Sequence, residues 1–293
     1  MTVPPLRISP GVTTVKGGTR VQDIRVQGDF DVHHLHSVLL PAAEDSVAVI
    51  DLDHAKFVTP AGLLSATTFA QRAARQGRKI ELVRPRSDEV ANYVARAHLG
   101  SAIDELGGQH DLPSVREHDV GMNLLAIKSF DNDVGADGLA QHVWHIVHDL
   151  DEDAAAVIYM ALASIGENVG RHSGQSRGYV AAQKTHRGKV LRFAVGDAGR
   201  GFRKSLAHHE PKTDADALRL ALQPGVTGSA DGTGGYGLSE LREKFREIGG
   251  TLHLRSGRGS RTEYSRGPAV ESESQTKLHG SILEGEIRIR RAS

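Results

Sequence analysis

Hydrophobic positions in the first third of the chain alternate between strand-like runs and helical spacing. The apolar run 47–51 is typical of a buried strand, and Pro60 suits the first turn of a helix. Apolar residues at helical spacing predict that helix over 61–75, and the run 79–83 alternates as a half-buried strand. Ser87 then fits the N-cap of a second helix. This order of strands and helices predicts an α/β domain.

The remainder of the chain has a different order of elements, which begins after the polar segment 107–113. Its patterns predict strands over 124–130, 177–185, 189–196, 251–256, 261–266 and 286–290, and helices over 137–149, 154–171, 214–222 and 236–248. Residues 268–281 are polar and resemble an insertion. We therefore expect the whole chain to be of the α/β (α+β) class.

The length of 293 residues suits two domains rather than one. We place an extended lead-in at 1–19, a first domain at 20–112 and a second domain at 113–293. Lys and Arg number 36, as do Asp and Glu, and a net charge of zero argues against a nucleic-acid or anionic-membrane surface. The absence of cysteine excludes disulfides, thiolate metal sites and a cysteine nucleophile. With no signal-peptide pattern and no apolar run of membrane length, we expect a cytoplasmic protein.

The first candidate for chemistry is a polar cluster at the end of the helix predicted over 154–171. It contains Asn168, followed by Arg171 and His172. An Asn carbonyl oxygen is a hard ligand suited to Mg²⁺, and residues three and four positions later share its helix face and can reach phosphate. For this segment alone, a polar cap on an ordinary helix explains the pattern equally well.

The second candidate is Asp197, which follows an apolar strand and precedes Gly199 and Gly201. Two glycines let the backbone turn sharply and approach a flat ligand closely. An Asp at such a position can accept a hydrogen bond from an exocyclic amine, as adenine offers. Taken alone, the segment is better explained as an ordinary Asp–Gly turn.

The third candidate is a glycine-rich segment directly before the helix predicted over 236–248. Its residues are Gly232, Thr233, Gly234, Gly235, Tyr236, Gly237 and Leu238. Glycines leave backbone N–H groups free to line an anion, and a helix N-terminus adds partial positive charge, so phosphate is the natural guest. The spacing is neither a Walker A loop nor a Rossmann fingerprint, and a glycine-rich linker is the alternative.

Taken together and in this order, the three segments resemble the GHKL ATP-binding fold of gyrase, histidine kinases and the MutL repair proteins, over about residues 120–293. The resemblance implies a two-layer α/β sandwich, the Bergerat fold, that binds ATP or ADP with Mg²⁺. In such a site Asn168 would be the Mg²⁺ ligand and Asp197 would read adenine, with Gly199 and Gly201 in the same G1 box.

The same resemblance assigns the glycine-rich segment Gly232–Leu238 to the G2 box of an ATP lid. Residues 203–231 would form the mobile lid, which in this family folds over the triphosphate. Within the lid, Lys204, Thr227 and Ser229 are candidate phosphate contacts, although solvated lid residues are the simpler explanation for each.

Two positions depart from the family pattern. Members that hydrolyse ATP or act as anti-sigma kinases have a glutamate four residues before the Mg²⁺ asparagine, and here that residue is Ser164, which cannot act as a base. Glu167 adjoins Asn168 and would need a different pose to replace that glutamate. In addition, Gly285 and Glu286 stand where the family has a Gly-Thr pair, which puts Glu286 in doubt as an adenine contact.

The N-terminal domain resembles a STAS domain, the anti-sigma-antagonist fold, over about residues 20–112. The resemblance is carried by the strand that ends at Asp51 and by the segment 57–63. In that family a serine in the segment accepts a phosphoryl group from a GHKL kinase, but this chain has Pro60 at that position and Thr59 before it. Proline has no hydroxyl, and Thr59 is better explained as a helix cap than as a substitute acceptor.

Three functions are compatible with these motifs. The first is a regulatory protein that binds Mg·ATP and switches a protein partner, a STAS protein or sigma-factor-like regulator, in the manner of anti-sigma partner switching. The second is an active serine/threonine kinase or ATPase with Glu167 as the base. The third is an interaction scaffold that binds no nucleotide. None of the three calls for nucleic acid or a membrane, and a homodimer is compatible with each.

Overall fold

The computed structural model of the chain describes residues 21–35, 39–42, 47–114, 124–131, 133–147, 152–171, 177–185, 189–228 and 234–289. These residues form an α/β protein with one mainly parallel sheet and one antiparallel sheet, which confirms the expected fold class. The predicted lead-in at 1–19 lies outside the described residues. Within them, no helix is long and apolar enough to cross a membrane.

Five strands form the first sheet, in the spatial order β2-β1-β3-β4-β5. They are β1 (Val21–Phe30), β2 (Leu39–Ala42), β3 (Ala48–Val58), β4 (Ile80–Val83) and β5 (Gln109–His110). Strands β1, β3, β4 and β5 run parallel, and β2 pairs antiparallel with β1. The sequence pattern predicts neither β1 nor β2, because β2 is short and β1 contains Gly28 and two register irregularities.

Three helices complete the first unit, which we define as residues 21–112. They are α1 (Pro60–Arg75), α2 (Asp88–Arg96) and α3 (Leu99–Glu105). The predicted caps of the first two helices are confirmed, because Thr59 accepts from the N–H of Gly62 at 3.4 Å and Ser87 accepts from the N–H of Val90 at 3.5 Å.

The second unit, residues 124–289, has an antiparallel sheet in the order β6-β7-β8-β10-β9. Its strands are β6 (Leu124–Phe130), β7 (Gly178–Thr185), β8 (Val190–Asp197), β9 (Thr251–Tyr264) and β10 (Val270–Arg288). Its helices are α4 (Asp133–Val147), α5 (Glu152–Arg171), α6 (Phe202–Ser205), α7 (Asp214–Ala221) and α8 (Gly237–Ile248).

The last two strands correct the sequence-based prediction. Residues 268–281 are not an insertion, since nearly all of them belong to β10, which pairs with β9 as one long hairpin. Polar side chains support this outer arm, where Ser260 and Ser272 hydrogen-bond at 2.8 Å and Arg261 pairs with Glu271. An arm stabilised by polar cross-strand pairs lacks the apolar alternation that the sequence pattern requires.

Helix α1 lies between the two sheets. It contacts β7, β8 and β10 of the second sheet as well as β3 of the first. The second unit contributes to the same hydrophobic core the residues Ile127, Tyr179, Ala181, Ala194, Leu278 and Ile282. Buried hydroxyls on α1 are satisfied within the helix, since Thr67 and Thr68 donate to the carbonyls of Leu63 and Leu64. The expected two-layer sandwich of the second unit is therefore completed by a third layer from the first unit.

Candidate functional site

Asp197 is the last residue of β8 and lies on the sheet face that carries α5 and α8. Along β8, Phe193 and Val195 pack into the core beneath those helices, whereas Ala194 packs into the core around α1. Side chains alternate along a strand, so Asp197 shares the face of Phe193 and Val195. The residue is 3% exposed, so its partners within the protein decide its charge state.

The carboxylate of Asp197 is held by neutral donors. Its Oδ1 accepts from the N–H of Gly199 at 2.6 Å, and its Oδ2 accepts from the hydroxyl of Ser281. Burial raises the pKa of Asp197, while hydrogen bonds from Ser281 and Gly199 act in the opposite direction. Among the described residues, no Lys or Arg forms a salt bridge with Asp197. A buried carboxylate without a cation partner is a candidate for ligand recognition.

Ser281 and the glycine before it are site residues that the sequence pattern missed. Ser281 lies opposite Asp197 in the β8–β10 register. Gly280 has a φ of +86°, and a Cβ there would overlap the carbonyl oxygen of Asp197, so only glycine fits. The signal in the sequence was a glycine followed by a hydroxyl residue and then by Ile282 and Leu283, at the start of an apolar run.

Gly285 and Glu286, which the resemblance assigns to a Gly-Thr pair near adenine, do not lie beside Asp197. Gly285 lies opposite Phe193, and Glu286 lies opposite Arg192, well away from Asp197 in the register. Glu286 also forms a salt bridge with Arg192, with Nε and Oε2 2.8 Å apart. The predicted strand start at residue 286 is wrong. Strand β10 begins at Val270 and places Ser281, rather than Glu286, beside Asp197.

The glycine turn after β8 is tied to β9 and β10. Gly201 has a φ of +76°, and a Cβ there would lie 2.6 Å from the hydroxyl oxygen of Ser256 on β9. That hydroxyl accepts from the N–H of Phe202 at 3.1 Å and donates to the carbonyl of Gly280 at 2.8 Å. One buried serine thus fixes the turn after Asp197 to the strand that carries Ser281.

A cleft with an enclosed volume of about 50 Å³ opens between α5, the turn after β8 and the start of α8. Its lining comprises Ser164, Phe202, Ser205, Leu206, Ala221, Val226, Thr227, Gly228, Gly235, Gly237 and Leu238. Elements carrying all three of the predicted motifs meet here. The enclosed volume is below the usual range for small-molecule sites, and Asp197 is not among the lining residues.

The N-terminus of α8 reaches this cleft because its first residue is glycine. A Cβ on Gly237 would lie 2.5 Å from the Ser164 hydroxyl oxygen, so a larger residue would push α8 away from α5. The N-cap residue, Tyr236, is exposed and makes no side-chain capping hydrogen bond. Gly234 and Gly235 have φ values of 90° and 86°, and Leu238 packs into the core. The helix end therefore presents uncapped N–H groups and partial positive charge.

Part of the expected lid is packed against the sheet. Helix α7 lies on β9, with the N–H of Ala215 donating to Glu273 at 2.7 Å and the N–H of Arg258 donating to Asp214 at 2.8 Å. Thr227 is buried at the cleft, whereas Lys204 is exposed and does not line it. Helix α7, which lies within the predicted lid, is thus attached to the β9–β10 hairpin.

Several predicted site residues have no described side chain. Glu167, Asn168 and Arg171 lie on the last turns of α5, but their side-chain contacts are outside the described residues. The same holds for His172, and for the lid and G2-box residues Ser229, Gly232 and Thr233. Asn168 is one helical turn after Ser164, which lines the cleft.

In the first unit, Thr59 is a capping residue. Thr59 is 1% exposed, and its hydroxyl caps α1. It also forms a hydrogen bond with the carboxylate of Glu284 on β10. A kinase has no access to a hydroxyl at this position. The interpretation of Thr59 as a cap is confirmed.

No protein-family model, curated protein or solved structure matches this chain, so the function of the site is inferred from its geometry. Among the described residues, no group of three or more His, Asp or Glu side chains could hold a metal ion. A divalent cation would therefore need ligands from elsewhere, such as Asn168 and the oxygens of a bound phosphate.

Proposed function

We propose that the chain is an adenine-nucleotide-binding regulatory protein of GHKL type, fused to a STAS-like unit. It would hold Mg·ATP with the adenine at Asp197 and the phosphates in the cleft at the start of α8. The observation that carries the proposal is Asp197, a buried carboxylate with neutral donors and no cation partner among the described residues.

Asp197 has the acceptor capacity for an adenine amine. Two carboxylate oxygens offer about four lone-pair positions. The described donors are the N–H of Gly199 and the hydroxyl and N–H of Ser281. The remaining position suits the exocyclic amine of adenine. Guanine presents a carbonyl oxygen at the equivalent atom, and two acceptors facing each other in a buried site are strongly unfavourable.

The cleft at the start of α8 suits the phosphates. The N-terminus of α8, which lacks a side-chain cap, and the backbone around Gly235 and Gly237 offer N–H donors to an anion. Asn168 would ligate Mg²⁺ as the resemblance implies, and the cation would neutralise phosphate charge. This arrangement needs no basic surface, in agreement with a net charge of zero.

Ser164 supports nucleotide binding without turnover. It occupies the position of the family's general base, and it packs against Gly237 at the start of α8. A serine in this position cannot activate a nucleophile as a carboxylate does. Bound nucleotide would act by favouring one conformation of the protein over another, and thereby change the binding of a STAS or sigma-factor-like partner.

Calorimetric titration with Mg·ATP tests the proposal. We expect Asp197→Asn to bind about 10- to 100-fold more weakly than wild type, because a hydrogen bond to a charged acceptor contributes about 1.5–3 kcal/mol. Glu286→Gln is the matched control, since Glu286 pairs with Arg192 on the opposite face of the sheet, and its affinity should equal that of wild type. A folded wild-type protein that binds no nucleotide would contradict the proposal.

Incubation with ATP labelled on the γ-phosphate separates the binding switch from an enzyme. We expect neither phosphate release nor transfer to a STAS protein. Turnover that Glu167→Gln abolishes would instead establish the kinase or ATPase function.

A further inference from the structure

One short segment of β10, residues 281–284, touches both the candidate nucleotide site and helix α1. Its side chains alternate between the two faces of the sheet. Ser281 donates to Asp197, and Leu283 packs into the core beneath α5. Ile282 packs into the core around α1, and Glu284 hydrogen-bonds to the start of α1.

Glu284 caps a helix that belongs to the other unit. It is 3% exposed, and its Oε1 accepts from the N–H of Ala61 at 3.1 Å. Glu284 also forms a hydrogen bond with Thr59, the N-cap residue of α1. A carboxylate is favoured at the partly positive N-terminus of a helix, so this contact favours docking of α1 on the second sheet.

The start of α1 is also fixed from the side of its own unit. The N–H of Thr59 donates to the carbonyl of Phe30 at 3.0 Å, and a Cβ on Gly62 would overlap that same oxygen. The loop that follows Phe30 contacts β9, where the side chain of Arg255 donates to the carbonyls of Val32 and His33 at 2.8 and 3.1 Å. The first unit therefore reaches the second through a rigid end of α1.

Two irregularities in the β9–β10 pairing separate this segment from the outer arm of the hairpin. Pairing between β9 and β10 is irregular between Glu273 and Leu278, and again between Leu278 and Ser281. Such irregularities uncouple a strand from the ladder on one side and re-aim its side chains. The position of Ser281 is therefore set by its pairing with β8 and β9 and by the segment 281–284 rather than by the outer hairpin arm.

We infer that docking of α1 through Glu284 positions Ser281 and Asp197, so that the docked first unit and bound adenine nucleotide stabilise each other. The inference rests on the proposed function, and it assigns the regulation of that site to the first unit of the same chain. Glu284 acts as a positioning residue, since it contacts α1 rather than nucleotide. Because binding equilibria are reciprocal, a contact that aids nucleotide binding is itself strengthened when nucleotide binds.

Two measurements on the full chain test this coupling. The first is the Kd for Mg·ATP, by calorimetry, in wild type, Glu284→Ala and Glu286→Ala. We expect a Kd at least about 5-fold higher for Glu284→Ala, at the lower end of typical coupling strengths, and no change for Glu286→Ala on the same strand face. The second is hydrogen exchange of the α1 amides with and without Mg·ATP. We expect nucleotide to slow exchange over 60–66 in wild type and Glu286→Ala, but not in Glu284→Ala.

The outcomes separate the coupling from the proposed function. Faster exchange of α1 in Glu284→Ala, together with unchanged affinity for Mg·ATP, would overturn the coupling and leave nucleotide binding intact. A wild type that binds no nucleotide would overturn both. If Glu284→Ala does not fold, Glu284→Gln, which retains an acceptor oxygen for Ala61, provides the same comparison with a smaller expected change.

Discussion

Two buried carboxylates on neighbouring strands, Asp197 on β8 and Glu284 on β10, lie on opposite faces of one sheet. Each is 3% exposed, and burial raises the pKa of both. Glu284 accepts from the N-terminus of α1 in the other unit, whereas the described donors to Asp197 are Gly199 and Ser281 of its own unit. Equal burial therefore has different consequences: Glu284 joins two structural units, and Asp197 holds the turn after β8 to β10.

The largest effect on the free energy of unfolding is expected for a substitution at Gly280, the residue before Ser281 on β10. Gly280→Ala would place a Cβ against the carbonyl oxygen of Asp197, in a backbone region that only glycine adopts without strain. We expect the free energy of unfolding to fall by more than about 3 kcal/mol, measured by urea denaturation.

Gly267→Ala is the control for this change. Gly267 has a φ of +94°, but a Cβ there would meet no atom within 4 Å. We expect the cost of backbone strain alone, about 1 kcal/mol. Equal effects of the two substitutions would show that the contact with Asp197 does not constrain β10.

An effect of similar size is expected in the pH dependence of the free energy of unfolding, to which Glu284 contributes. Burial raises the pKa of Glu284 from 4.5 to about 7. The folded state thus binds this proton more tightly than the unfolded state, so the stability is fully present below pH 4.5 and is lost as pH rises through about 7. The expected loss is about 3 kcal/mol, and Glu284→Gln should remove it.

The groups that face Glu284 define the control for this experiment. They are the Ala61 N–H, the hydroxyl of Thr59, Tyr93 of α2, Arg192 of β8 and Asp31 after β1. Burial lowers the pKa of nearby His253 to about 3, which reduces stability as pH falls below 6.5 and so opposes the Glu284 effect. The difference between wild type and Glu284→Gln, measured by denaturation from pH 5 to 8.5, removes that contribution. Parallel pH profiles would contradict the assignment.

The smallest effect is expected for Ser281→Ala. The variant removes a buried donor to Asp197 and should lower the free energy of unfolding by about 1–2 kcal/mol. It should also weaken Mg·ATP binding, whereas Ser272→Ala, which removes a hydroxyl pair on the outer hairpin arm, should leave the affinity unchanged. Unchanged nucleotide binding by Ser281→Ala would remove Ser281 from the candidate site.

Local features of the chain could be predicted well from the sequence. The caps Thr59 and Ser87 and most helices depend on residues within a few positions of each other, and the structure has them close to where the pattern predicts. Long-range pairing could not be predicted in this way. Ser281 reaches Asp197 across 84 residues through the register of β10, and the polar outer arm of that strand gives no apolar alternation.

The packing of α1 against both sheets could not be predicted from hydrophobic periodicity either. Its apolar spacing predicts one buried face, but small and hydroxyl residues, among them Ala66, Ser65 and Thr68, are buried on its other sides. Small side chains allow two sheets to approach the same helix. The second face is covered by core residues of the second sheet, such as Ala181 and Ala194, and by Glu284, which lies in a strand whose start was predicted two residues after it.

The most direct test of the central claim is native mass spectrometry of the wild-type protein in an equimolar mixture of ATP and GTP with Mg²⁺. The account predicts one bound adenine nucleotide per chain and no bound guanine nucleotide, because Asp197 accepts from the adenine amine and opposes a carbonyl at that atom. Equal occupancy by ATP and GTP, or no bound nucleotide on folded protein, would contradict it.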